Sequence, residues 1–522
     1  MISYIPSSQL SLEGFKTPFD NKLDPRNRWI IMAGVIPWDK LAAVYYRNMP
    51  ASTGAPTLSA RMVIGAVIIK HILDIDDREV VQQIQENIYL QYFVGLSSFQ
   101  TEPAFDPSLL VLIRKRLGKP LMDQFNELIV KQAEVITPDK GLKKETKKNK
   151  DEQPPKMNIT DEDAIPSSEI LAEQSPTVPN TGTLMMDATV AEQQIQYPTD
   201  VNLLNECRQQ LERMITAGCT AQQIEVPRMY KKIARKKYLT VAKKKRKTTK
   251  DIRKGIRQQL QYVKRDLGYI NAMMKKNTFM EGILTKRDFQ LLDTIKKTYR
   301  QQFWMYANGV HSIEDRIVSI YQPHVRPIPR GKDRVSTEFG SKQLVMLKDG
   351  FCHLQNISWD NFNEGTHLQQ CLETYKAFYG CYPDKVQADQ IFGNRDNRAF
   401  MKQRGIQYIG KALGRPSAES KQQQAIIQKQ MTRRNAIEGK FGQGKNAYGL
   451  AKIKARLKDT SESWISSIYF IMNLLKLVQV YFLTFFCKTM NQIWQSMMAG
   501  RPENTLNRDQ EIIRRLLPVY QL

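Results

Sequence analysis

The sequence predicts an α/β protein: a mixed sheet with flanking helices, interrupted by a basic helical insertion and preceded by an all-α region. Three observations carry this reading. Apolar residues recur at helical spacing through residues 24–138. From residue 183 onward, short β-branched and apolar runs alternate with helical stretches. Between the two, residues 139–180 hold too little apolar surface to order themselves and read as a disordered linker.

Composition narrows the function classes. At 522 residues the chain is long enough for roughly two to four domains with a large core. It carries 78 Lys and Arg against 52 Asp and Glu, a net charge of +26. Such an excess points to a polyanionic partner, most often nucleic acid and less often an acidic membrane surface. The six cysteines are scattered without a C-x-x-C pair, and the five histidines are isolated. Both facts argue against a disulfide framework or a zinc site and fit a reducing cytosol. Residues 1–23 read as an N-terminal arm without the apolar run of a signal peptide.

In the helical region, residues 62–73 are apolar nearly all round and predict a buried helix. Asp76 and Asp77 cap the stretch 78–86. A further helix over 107–117 ends in Arg114, Lys115 and Arg116. Short helices with basic ends suit DNA binding, the alternative being a dimerisation bundle.

Residues 183–190 predict a central strand with Asp187 in its middle, where a carboxylate is costly unless paired or metal-bound. The insertion spans about 203–322. Within it, 15 of the 30 residues from 228 to 257 are Lys or Arg, among them Lys243, Lys244, Lys245, Arg246 and Lys247. That density reads as a phosphate-binding surface. Trp304 is expected in a core, with base stacking as the alternative. The runs 335–347 and 351–359 flank Asp349-Gly350, a strong hairpin signal. An amphipathic helix over 366–379, a strand over 385–389 ending in Asp389, a helix over 397–404 and a strand over 406–410 follow. Residues 464–487 are apolar enough to raise a membrane span, but Asn473, Lys476 and Gln479 interrupt their middle, so a buried helix and no membrane partner are expected. The sheet domain is placed at 181–487, with 488–522 as a C-terminal tail.

The most informative stretch is 431–450. Arg434, Glu438 and Lys445 are spaced four and seven apart and fall on one helix face, with Ile437 and Phe441 turned toward a core. Gly439, Gly442 and Gly444 weaken that helix and leave Lys445 on either a helix or a loop. Asp187, Asp389 and Glu438 thus form a set of oxygen donors of the kind that magnesium takes. Asp384 and Asp396 compete for the second place but sit in turn-like contexts.

These residues carry a resemblance. The stretch from Arg434 to Leu450 resembles the third catalytic block of DDE transposases from bacterial insertion sequences, specifically the insertion-sequence-5 family within the insertion-sequence-4 superfamily. The superfamily pattern is Tyr-x2-Arg-x3-Glu-x6-Lys; Arg434, Glu438 and Lys445 match it, and Met431 stands at the tyrosine position. Residues 185–189 resemble the first block and 387–394 the second, while 326–332 with 338–342 are similar to the segment leading into the second and third strands. Residues 61–118 are similar to the family's N-terminal helical domain.

The resemblance implies a ribonuclease-H-like catalytic domain that cuts the terminal inverted repeats of its element by metal-dependent hydrolysis and joins the 3′-hydroxyl ends to target DNA. Asp187, Asp389 and Glu438 would hold two magnesium ions, with manganese as a substitute. Arg434 and Lys445 would contact end-DNA phosphates, with Arg330 and Lys332 as further DNA contacts. Double-stranded DNA, a homodimer or higher homo-oligomer, and a bacterial cytoplasmic, nucleoid-associated setting follow. A nuclease that cuts without joining and an inactive DNA-binding protein remain the alternatives.

Overall fold

The computed structural model describes residues 22–49, 58–136, 179–275, 283–332, 335–410 and 435–498. The linker expected at 139–180 lies almost wholly outside them.

Among the described residues seven helices come first: α1 (Arg28–Val35), α2 (Trp38–Arg47), α3 (Ala60–Leu73), α4 (Asp77–Glu86), α5 (Ile88–Phe93), α6 (Leu109–Arg116) and α7 (Lys119–Ile136). Their starts follow local chemistry. Ser59 caps α3 through the Met62 amide, and Asp76 accepts from the amides of Arg78 and Glu79 at the start of α4.

Strand β1 (Thr183–Gln193) then leads into the insertion, α8 (Asp200–Ala221), α9 (Lys231–Ala242), α10 (Thr249–Lys275) and α11 (Lys286–Asn308). The insertion has its own core, with Leu204, Leu211, Ile215, Val263, Ile270 and Ile295 fully or nearly fully buried. The chain returns through β2 (Arg326–Lys332), β3 (Val335–Lys348), β4 (Phe351–Ser358), α12 (Leu368–Tyr379), β5 (Lys385–Ala388), α13 (Arg395–Gln403) and β6 (Gln407–Ile409). The last described elements are α14 (Asn435–Ala447), β7 (Lys452–Ile453) and α15 (Lys458–Met498).

The sheet is mixed, as the sequence predicts. β1 lies at its centre, antiparallel to β3 and parallel to β5, which is parallel to β6. The long β3 shares its other edge between β2 and β4. Asp349 and Gly350 take positive φ (50° and 85°), the geometry a tight hairpin between twisted strands requires. Alternation along the strands sends Leu184, Met186, Leu344, Met346 and Val386 toward α12. Ala191, Val345 and Leu347 pack on the opposite face against Ile437 and Phe441 of α14 and Ile468 and Met472 of α15.

The long apolar helix differs from expectation in part. Its first half is buried, with Ile465, Ile468, Phe470, Ile471, Leu474 and Leu477 at 1% exposure or less. Past Leu477 it emerges, and Phe482, Phe485 and Phe486 are exposed. By length and composition the span Lys458–Cys487 is also apolar enough to cross a membrane. The buried half does something the sequence does not show: Phe470, Ile471, Leu474 and Leu477 belong to the core of the N-terminal helices. The helical region and the sheet therefore share one core element.

Candidate active site and basic surfaces

The site begins with strand register. β1 and β5 pair in parallel through Met185–Gln387 and Met186–Ala388. One step beyond stand Asp187 and Asp389. Asp389 keeps an extended backbone (φ −63°, ψ 161°), so the pleat continues and the two aspartates share a face. By the same alternation that face is the side of Met185 and Gln387, the side on which α14 packs. Asp187 is half-buried, and the Ala188 amide donates to its Oδ1 at 2.8 Å. Asp389 is exposed at the strand end.

The turn after Asp389 is pinned by a residue that the sequence does not single out. The Tyr408 hydroxyl on β6 donates to the Asp389 carbonyl at 2.9 Å, and the Arg398 guanidinium lies over its ring at 4.7 Å. A Cβ at Gly393 would come within 2.8 Å of that hydroxyl, so glycine is needed for the close approach. The available signal is an alternating strand that carries a tyrosine, but nothing local says where its hydroxyl goes.

Glu438 sits in the first turn of α14, exposed, with Ile437 and Phe441 buried beneath it as expected. The helix runs unbroken to Ala447, so Lys445 is helical and half-buried, on the face of Glu438. Gly444 packs closely: a Cβ there would meet Leu450 at 3.1 Å and Met472 at 3.2 Å, so those side chains would have to give way slightly. Arg434 and Met431 lie outside the described residues.

All three carboxylates thus belong to one side of the sheet. Among the described residues, however, no three Asp, Glu, His or Cys side chains converge closely enough to form a metal site. The aspartate pair comes from strand register, whereas Glu438 depends on how closely α14 approaches. The competitors fall elsewhere. Asp384 lies before β5, held by its amide to the Gly182 carbonyl at 3.0 Å and ion-paired with Lys385. Asp396 is exposed in the first turn of α13.

The predicted DNA contacts divide. Lys243, Lys244, Lys245, Arg246 and Lys247 are exposed where α9 ends. Lys244 pairs with Asp251 at 2.5 Å, and hydrogen bonds from Lys244 and Thr248 hold that carboxyl well below its ordinary range. Beside them a shallow groove of about 730 Å³ is lined by Lys232, Arg235, Lys236, Lys243 and Lys244, extending the basic surface along α9. Arg330 and Lys332 lie on β2, an edge strand. Lys115 and Arg116 are exposed.

Arg114 is a correction. Its side chain is 11% exposed, makes bonds of 2.6 and 2.8 Å to Asp77, and lies 5.7 Å from the Trp464 ring centroid. Lys70, at 2.8 Å, is the second partner of Asp77. Burial pushes the Asp77 carboxyl up, but hydrogen bonds from Arg114 and Lys70 outweigh it and hold the group below its usual value. Arg114 is a buried ion-pair partner because α15 folds back over the end of α6. Trp304 is likewise corrected: it is 48% exposed on α11 beside the exposed Phe303, outside any core.

Comparison with known proteins matches two segments of the chain to transposase families. Residues 386–475 match the family described as "Transposase DDE domain", and residues 17–116 match one described as a transposase domain. The two matched segments span β5 to α15 and most of the N-terminal helices. The chain is also similar to the "Uncharacterized protein ORF8 in nfe locus" of Rhizobium meliloti, 34% identical over 122 residues. That stretch is 23% of this chain and 57% of the relative. The chain therefore spans little more than half the relative's length. No solved structure matches the chain.

Proposed function

We propose that this chain is the DNA transposase of a bacterial insertion element of the insertion-sequence-5 type, working on a ribonuclease-H-like sheet. The observation that carries the reading is the register of β1 and β5, which sets Asp187 beside Asp389 on the face that α14 covers. The mixed strand order, with antiparallel β3 and parallel β5 about β1, supports the fold.

The donors are carboxylate oxygens alone, the chemistry that magnesium, or manganese in its place, takes. Magnesium is usually bound through one or two carboxylates, with water and substrate phosphates completing its shell. The aspartate pair fits that requirement, and Glu438 would bring a third carboxylate from the helix over the same strands. Two such ions, when bound, stabilise the entering and leaving oxygens of a phosphoryl displacement.

The protein's own residues do the positioning. Asp187 and Asp389 fix negative charge at one place in a rigid sheet. Lys445, on the face of Glu438, and Arg434 would hold end-DNA phosphates. Lys115, Arg116, Arg330, Lys332 and the surface around Lys243–Lys247 would grip the backbone, which positions a duplex without reading its sequence. The partners are then element ends and target DNA, met by a dimer or larger assembly of this chain at the bacterial nucleoid.

The test is incubation of the protein with its own element ends, a target duplex and magnesium. End cleavage and joining of the 3′ ends are expected. Asp187→Asn, Asp389→Asn and Glu438→Gln should lower cleavage by orders of magnitude and retain DNA binding, whereas Asp384→Asn and Asp396→Asn should stay active. An active Asp389→Asn protein would overturn the site. Cleavage without joining would reduce the function to a nuclease, and binding without cleavage to a DNA-binding protein.

A further inference from the structure

A second site lies where β1 ends. The chain turns there into α8, and a cleft of about 370 Å³ opens between that turn, α8, the start of α11 and residues 318–322. The volume falls in the range of ligand-binding clefts. Gln194 on its wall is seven residues from Asp187, roughly 23 Å at the rise of a strand, so the cleft is separate from the carboxylates.

Its lining combines three chemistries. The first is aromatic. Tyr197 is 71% exposed and Tyr321 48%, yet both are held in place. The Tyr197 ring meets Phe339 edge-on at 5.6 Å, and the Tyr321 hydroxyl accepts from Gln210 Nε2 at 2.8 Å. The second is a donor–acceptor set. Gln322 is 4% exposed; its Nε2 donates to the Gln194 carbonyl at 3.3 Å, and its Oε1 is buried with no hydrogen-bond partner among the described residues. Asn202 uses its oxygen to accept from the Tyr238 hydroxyl at 3.1 Å, so its amide N–H groups are the donors left to the cleft. The third is positive charge: Arg287 and Arg456 line the cleft and are exposed.

A buried acceptor without a donor is costly, and it fits a ligand that brings the missing N–H. An apolar ligand would leave Gln322 as it is. A flat ring with a polar edge and an attached phosphate satisfies all three chemistries.

We propose that this cleft binds a nucleotide, with the base against the tyrosine rings, its edge read by Gln322 and Asn202, and its phosphate at Arg287 and Arg456. Stacking on aromatic rings with hydrogen bonds to a base edge is how unpaired nucleotides are recognised. The ligand is either a free mononucleotide or a base displaced from a DNA strand, which present the same groups. The first source is independent of the transposase reading; the second rests on it.

The experiment uses the full chain. AMP is titrated by calorimetry, with ribose 5-phosphate as the control that lacks a base. In parallel, two random-sequence duplexes are compared, identical except for one unpaired adenine. Tyr197→Ala and Tyr321→Ala alter exposed rings and Gln322→Leu removes the bare acceptor; thermal melting checks that each variant is folded. AMP binding, or a preference for the unpaired adenine of roughly 5- to 100-fold, is expected in the native chain and absent from the variants. AMP binding alone identifies the free nucleotide, and the adenine preference alone the displaced base. Either result supports the proposal. Absence of both, equal binding of AMP and ribose 5-phosphate, or a signal that survives in all three folded variants overturns it. Affinity for the fully paired duplex and end cleavage are read separately, so failure here is distinct from failure of the transposase reading.

Discussion

Replacing Asn473 with leucine tests whether the N-terminal helices and the sheet are one cooperative body. Asn473 is wholly buried in the first half of α15. Its Nδ2 donates to the Cys352 carbonyl at 2.7 Å and to Asn126 Oδ1 at 2.9 Å, and its Oδ1 accepts from the Cys352 amide at 2.7 Å. One side chain thus bridges β4 in the sheet and α7 in the helical region. Leucine is close in size and removes all three bonds, leaving the Cys352 N–H and C=O and the Asn126 Oδ1 buried without these partners. Each such group costs about 1–3 kcal/mol. The new apolar side chain offsets about 2 kcal/mol. The expected net loss is about 4 kcal/mol, felt by both regions at once. Urea unfolding followed by near-ultraviolet circular dichroism, with limited proteolysis of each region, measures it. A loss below about 0.5 kcal/mol, or separate transitions for the helices and the sheet, would refute the shared core.

Other expectations follow from the same side chains. Arg114→Met should destabilise the fold by about 1–3 kcal/mol through Asp77, yet leave DNA affinity unchanged, whereas Arg116→Ala should weaken DNA binding without lowering the melting temperature. Binding assays beside melting curves separate the two, and a DNA-binding defect confined to the Arg114 variant would return that residue to the interface. Neutralising Lys243, Lys244, Lys245, Arg246 and Lys247 together should weaken binding to every duplex and flatten its salt dependence by about one unit of slope for each DNA phosphate they pair with. An unchanged slope in a filter-binding series would make the run a solvated face. Burial lowers His71 to about 3 and His353 to about 4. Below the unfolded value near 6.5 the unfolded chain takes up protons that the folded chain refuses, so stability is full above that pH and falls as pH drops toward 4. The slope should be about 1.4 kcal/mol per pH unit for each histidine, and urea midpoints at pH 7, 6 and 5 that do not shift would show that these rings titrate normally.

The candidate site is readable in the sequence where a local pattern fixes geometry. The Asp-Gly turn, the alternating strands and the apolar pair Ile437 and Phe441 each dictate backbone or facing within a few residues. The residues that sequence reasoning misplaces depend on elements distant in the chain. Arg114 reads as a basic helix end because its partner Asp77 and its cover Trp464 come from α4 and α15. Trp304 reads as a core residue because a tryptophan's burial depends on whether another element covers it, and none of the described elements fully covers that face of α11.

By itself the sequence determined the strong basic excess, the mixed strand pattern, the helical insertion and the three carboxylate candidates. Charge, periodicity and turn chemistry are properties of short stretches, and they survive whatever the rest of the chain does. The end of an apolar strand already favoured Asp389 over Asp384 and Asp396; only the tertiary structure set it beside Asp187, because parallel register is fixed between strands about 200 residues apart. It alone decided that half of a membrane-like helix is the shared core of two regions while the other half is exposed. An apolar side chain gains by burial against any matching surface, and which surface it meets is a matter of how the whole chain packs.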